Sequence, residues 1–182
     1  MDMTQQAQAY HEKMFPGYVS DFLRTDPEFI ERFDNFAFDE VIATVDLDDS
    51  TRFMAILSAL IGSQSLDEFK AMVPAALNFK VTPVEIKEIV YQSVAYLGIG
   101  RVFPFLKATN EIFEAEGISL PLEGQATTTI DNRMELGSET LVAIAGEKME
   151  NLATSGPKES RHINRWLVEN CFGDYYTRRG LT

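Results

Sequence analysis

The stretch TPVEIKEIVYQSVAYLG, Thr82–Gly98, reads as a helix and sets the class of the whole chain. Ile86, Ile89, Val90, Val94 and Leu97 recur at helical spacing on one face, with Glu85, Lys87, Glu88 and Gln92 mostly opposite. Thr82 can cap, Pro83 suits the first helical position, Glu85 completes a capping box, and Gly98 can end the helix.

Upstream, DPEFIERFDNFAFDEVIA starts in the same way, with Asp26 as cap and Pro27 next. RFMAILSALIG, from Arg52, is apolar nearly all round, as a central buried helix should be. FPFLKATNEIFEAEG and SETLVAIAGEKMENLATSG read as further helices, and no alternating strand pattern competes. The expected fold is an all-α helical bundle.

Composition narrows the function. The 182 residues suit one ordinary domain or one domain plus part of another, and a hydrophobic fraction of 45% with 13 Phe supports a packed core. Sixteen Lys+Arg face 28 Asp+Glu, a formal net charge of -12, which argues against nucleic acid and anionic membrane surfaces as partners. The imbalance is uneven: Met1–Arg52 holds twelve acids and four bases, Lys158–Thr182 five bases and three acids. That contrast reads either as a solvated acidic surface or as a mild head-to-tail attraction between protomers or segments. Cys171 is the single cysteine, so a reducing, cytoplasmic setting is expected. MDMTQQAQAY lacks a secretory pattern, and the longest apolar run, FMAILSALI, is too short to span a bilayer.

Gly117–Arg133, GISLPLEGQATTTIDNR, breaks the periodicity with Gly, Pro and Thr and reads as a linker. The expected organisation is a first helical domain over 1–116, a linker over 117–133, and helices over 134–182 that open a second, incomplete repeat. The last expectation rests on an echo. Ile30, Arg32 and Phe33 answer Ile163, Arg165 and Trp166; after a two-residue shift, Asn35 and Asp39 answer Asn170 and Asp174. Either the chain continues past Thr182 into a second copy, or two amphipathic helices are alike by chance.

The segment from Asp48 to Phe113 resembles the carboxymuconolactone decarboxylase family, which includes the alkyl hydroperoxidase D-like proteins. The resemblance lies in an Arg-led buried helix, a short turn, AALNFKVTPVEI, and an aromatic-rich YLGIGR. The flanks PLEGQATTT and NRWLVENCFGDYYTRRGL look like members with two such domains in tandem. The resemblance implies an all-α bundle that assembles into trimers or hexamers. Its activities are peroxiredoxin-type hydroperoxide reduction and cofactor-free decarboxylation of a lactone acid.

In the redox members a glutamate follows the leading Arg, and a Cys-x-x-Cys pair with a later histidine sits at the turn. A helix N-terminus there stabilises a thiolate while acid and histidine move protons. The corresponding positions in this sequence are Phe53, Ser65, Glu68 and Met72, so every redox position is replaced. Ser65-Leu66-Asp67-Glu68 is itself a Ser-x-x-Glu capping box, the competing reading to a catalytic Ser65–Glu68 pair.

Arg101 follows GIG where a helix begins and could hold an anionic substrate group with Tyr91 or Tyr96; a surface Arg paired with an acid is the plainer alternative. Phe53, Met72, Tyr91 and Tyr96 would line a pocket between the buried helix and the Thr82–Leu97 helix. His11 and His162 lie far apart, each on an expected helix surface, and form no metal cluster. Cys171 reads as a buried, inert thiol, and Met54, Met72 and Met149 as core fillers. No cofactor or metal is expected.

Two functions remain open. One is a family enzyme in which Arg101, Tyr96 and Glu68 serve as anion binder, proton donor and acid. The other is a non-catalytic homo-oligomeric scaffold, or a binder of a small organic acid or lactone.

Overall fold

The computed structural model describes residues 2–181, and every regular element among them is helical. The order is α1 (Gln5–Met14), α2 (Phe22–Thr25), α3 (Pro27–Asn35), a π-helical stretch Phe36–Glu40, α4 (Val41–Thr44), α5 (Asp49–Gly62), α6 (Leu66–Asn78), α7 (Pro83–Leu97) and α8 (Ile99–Ala115). Then follow α9 (Arg133–Ala145), two short 3-10 turns, α10 (Arg161–Trp166) and a second π-helical stretch, Leu167–Tyr176. The chain divides into two compact units, Met1–Ile86 and Lys87–Thr182.

In the first unit Thr4 starts α1: its hydroxyl accepts the Ala7 N–H at 3.1 Å. The same residue donates its N–H to Asn35 Oδ1 and its O–H to Asp39 Oδ2, tying the start of α1 to the end of α3 and to the first π-helical stretch. Asp48 caps α5, taking the Thr51 hydroxyl at 2.7 Å and the Thr51 N–H at 2.9 Å, and those bonds hold its carboxyl below the usual carboxylate range.

The core of this unit forms where α5 meets α6. Phe53, Leu57 and Ile61 are buried from one helix, and Phe69, Val73 and Ala76 from the other. The α5 helix is not buried all round, as its composition suggested: Ala55, Ser58 and Ala59 face solvent. Small residues explain how an apolar stretch can leave a face open at little cost, because each adds little exposed apolar area.

The capping box at Thr82 forms as expected. The Glu85 carboxylate accepts the Thr82 N–H at 2.6 Å, and the Thr82 hydroxyl accepts the Glu85 N–H at 3.2 Å. Asp26, by contrast, stands at the start of α3 without a side-chain cap; its carboxylate takes the Thr25 hydroxyl at 2.6 Å instead. Pro27 does occupy the first turn of that helix.

In the second unit α9 packs on the π-helical stretch Leu167–Tyr176. Two glycines permit the approach. A Cβ on Gly137 would lie 2.3 Å from the Val168 carbonyl, and one on Gly173 would lie 2.3 Å from the Arg133 carbonyl. Backbone stands against backbone, so only hydrogen fits. The helix expected over Ser138–Gly156 starts earlier, at Arg133, and ends at Gly146, whose φ of 89° a side chain would resist.

The segment between α8 and α9 carries no helix, and its polar side chains are used. Thr127 and Thr128 donate to the carbonyls of Thr177 and Gly173 at 2.8 and 2.9 Å. The two segments that echo each other in sequence both run from an α-helix into a π-helical stretch.

Candidate functional site

The turn between α5 and α6 is where a thiol pair would stand in redox relatives. Here its polar groups close the end of α5. Ser63 N–H bonds Ala59 O at 2.8 Å, Ser65 N–H bonds Leu60 O at 2.9 Å, and the Gln64 amide bonds Ile61 O at 2.7 Å. Gln64 takes a left-handed φ of 61° to make the turn.

The capping box expected at Ser65–Glu68 does not form. The Ser65 N–H that Glu68 would have taken is committed to Leu60, and the Ser65 hydroxyl lies 2.9 Å from the Ser63 hydroxyl. Glu68 is exposed. A serine nucleophile needs a base, and the partner of Ser65 is another hydroxyl. The physical reason for the miss is competition: the unsatisfied carbonyls at the end of α5 reach the turn first.

Phe53 and Met72 are the residues that the resemblance sets at the acid and histidine positions. Both are buried in the first unit, and the Phe53 ring lies 4.6 Å from that of Phe79. The other sequence-derived residues belong to the second unit. Tyr91 is half-buried, with the Arg178 guanidinium carbon 5.3 Å and the Lys87 ammonium 5.6 Å from its ring centre. Tyr96 is exposed and shares a hydroxyl–hydroxyl bond with Tyr176; that bond, with some burial, pushes its phenol up to about 12. Arg101 sits exposed in the first turn of α8, and its guanidinium has no hydrogen-bond or ion-pair partner among the described residues.

Reading Lys87 and Glu88 as part of a solvent face was wrong. Both are buried. Glu88 receives two bonds from Arg178, each 2.7 Å, while Lys87 bonds Asn110. Burial lowers the Lys87 ammonium from its ordinary value, and the Glu88 bond raises the Arg178 guanidinium further. The available signal was the unbroken company of Ile86, Ile89 and Val90 on either side of these charges.

Cys171 is half-buried, and burial raises its thiol, so little thiolate forms at neutral pH. Met54 is half-buried, while Met149 is exposed rather than a core filler, because the 3-10 turn carrying it follows the end of α9. His162 packs edge-on against Trp166 at 4.9 Å. His11 departs from the expected surface position: it is half-buried among the rings of Phe15, Tyr18 and Phe38. Among the described residues no group of three His, Cys, Asp or Glu is placed to hold a metal, and no helix is long and apolar enough to cross a membrane.

The first unit also has an open cleft of about 370 Å³ that the sequence reading did not reach. Gln5, Gln6, Ala9, Tyr10, Lys13, Phe38 and Ile42 line it. Tyr10 donates its hydroxyl to Asp49 at 2.9 Å, and Lys13 pairs with the same carboxylate at 3.0 Å while lying 4.0 Å over the Phe79 ring. Burial and the Asp49 bond push the Tyr10 phenol well above its ordinary range.

An all-helical bundle led by a buried arginine, with a polar turn between two packed helices, defines the class. The model of the carboxymuconolactone decarboxylase family matches residues 27–111, and that stretch is similar to the family. No curated protein and no solved structure matches the chain.

Proposed function

We propose that this chain is a non-catalytic member of the carboxymuconolactone decarboxylase family, an oligomeric scaffold that keeps the fold without its redox chemistry. The observation that carries this reading is the burial of Phe53 and Met72 where proton-moving groups would be needed. Neither side chain can exchange a proton, and the intervening turn spends its N–H groups and the Gln64 amide on closing α5. A small organic acid or lactone is the ligand class the same fold would take, and the cleft beside Tyr10 has the volume for one.

A second reading has one observation behind it. The unpaired guanidinium of Arg101 could receive a carboxylate, with the Tyr96 phenol protonated nearby in sequence as a donor. That is the outline of cofactor-free decarboxylation of a lactone acid.

The test is turnover by the purified chain. Hydroperoxide is supplied with a dithiol reductant, and separately a carboxylated lactone is followed by carbon dioxide release. The scaffold reading expects neither above background. Release of carbon dioxide that is lost in Arg101→Ala and in Tyr96→Phe, with the helical spectrum unchanged, would establish the enzyme instead.

A further inference from the structure

The segment from Tyr18 to Phe36 carries five exposed aromatic side chains. Phe29, Phe33 and Phe36 follow one another at i, i+4 and i+7, the spacing of a single helix stripe, and are 69, 49 and 58% exposed. Tyr18 and Phe22, just before α3, are also more than half exposed. At about 200 Å² per aromatic side chain, these five present on the order of 600 Å². A specific interface buries about 800 Å² per partner. Lone surface aromatics are ordinary, whereas about 600 Å² stands at the top of the range for the largest apolar patch of a monomer, and such patches are often functional.

The second unit presents a smaller face of the same kind. Ile163, Trp166 and Leu167, at i, i+3 and i+4, are 57, 60 and 41% exposed where α10 runs into its π-helical stretch. The charges around the two faces are opposite. Residues 18–36 carry five acids, one of them the buried Asp34, and two bases; residues 158–167 carry three bases and one acid, with Arg165 paired to Glu169 just beyond.

We infer that the partner of the Phe29–Phe33–Phe36 face is the Ile163–Trp166–Leu167 face of a second copy of this chain. The inference rests on the scaffold reading and names its interface. Each face alone would bring like charges together if it met its own copy, whereas the acidic rim meeting the basic rim is attractive and fixes the orientation. A contact between two different patches leaves one of each unused in a pair. It therefore continues to further copies and either closes into a ring or runs on.

Sedimentation velocity of the full chain and two variants tests this. Wild type should sediment as a multiple of 20.5 kDa and fall toward the single chain as salt is raised. Phe29→Ser with Phe33→Ser, and separately Ile163→Ser with Trp166→Ser, should each give single chains with an unchanged helical spectrum. Mixing the two should restore one intact contact and yield a pair of chains and nothing larger. A single-chain wild type overturns both this interface and the scaffold reading. An assembled wild type that neither variant disrupts overturns the interface alone. Two single-chain variants that fail to pair overturn the head-to-tail arrangement. Should either variant lose helicity, Lys158→Glu with Arg161→Glu replaces it, and assembly unchanged at low salt in that variant overturns the inference.

Discussion

Arg178 grips Glu88 at two points, Nε to Oε2 and Nη2 to Oε1, each 2.7 Å, across 90 residues of sequence. Glu88 is 1% exposed, so its charge has almost no water to fall back on. Removing one partner of such a pair leaves a buried, unmatched charge, which costs about 3–5 kcal/mol. Arg178→Ala should lower stability by that amount in urea unfolding. Adding Glu88→Gln should return a large part of the loss, because the uncompensated charge goes with it. An additive double variant would mean that the pair is not coupled.

The crossing of α9 with the π-helical stretch tolerates no side chain. Gly173→Ala places a methyl 2.3 Å from the Arg133 carbonyl, and Gly137→Ala does the same against Val168. Each should cost about 3 kcal/mol, the upper end of the overpacking range, because backbone rather than a flexible side chain must give way. Thermal unfolding followed by circular dichroism reads this directly. Gly124→Ala, where nothing lies within 4 Å, is the control and should be close to neutral.

Thr82 and Ser65 are both hydroxyl residues at helix starts, yet only Thr82 forms a box. Thr82→Ala should cost about 1 kcal/mol. Ser65→Ala loses only a hydroxyl–hydroxyl contact with Ser63 and should stay within about 0.5 kcal/mol. Equal losses in urea unfolding would contradict the assignment of these caps.

Asp34 lies buried on α3, and burial pushes its carboxyl up, opposed by the nearby His11. The folded chain therefore holds the proton more tightly than the unfolded chain. Stability contributed by this group grows as pH falls from above its raised folded value toward the ordinary carboxylate range, and is lost as pH rises through that folded value. Asp34→Asn should be more stable than wild type at neutral pH, and the difference should shrink on acidification. Parallel urea midpoints for the two chains across pH would show instead that the carboxyl is not penalised by folding.

The helical class, the Thr82 box and the break at Gly98 were all legible in the sequence, because each depends on residues within a few positions of one another. Periodicity and caps are local, and the family match over residues 27–111 follows the same local pattern. Charges at Lys87 and Glu88 defeated that reasoning: a helical wheel assigns them to water, and only the arrival of Arg178 and Asn110 makes their burial tolerable. Ser65 failed for the opposite reason, since the end of the preceding helix claimed the groups that its own helix start would have used. Sequence alone determined the helical class and the start of the helix at Thr82. Tertiary structure decided which polar groups are buried and where aromatic stripes stay bare, because both depend on partners distant in the chain.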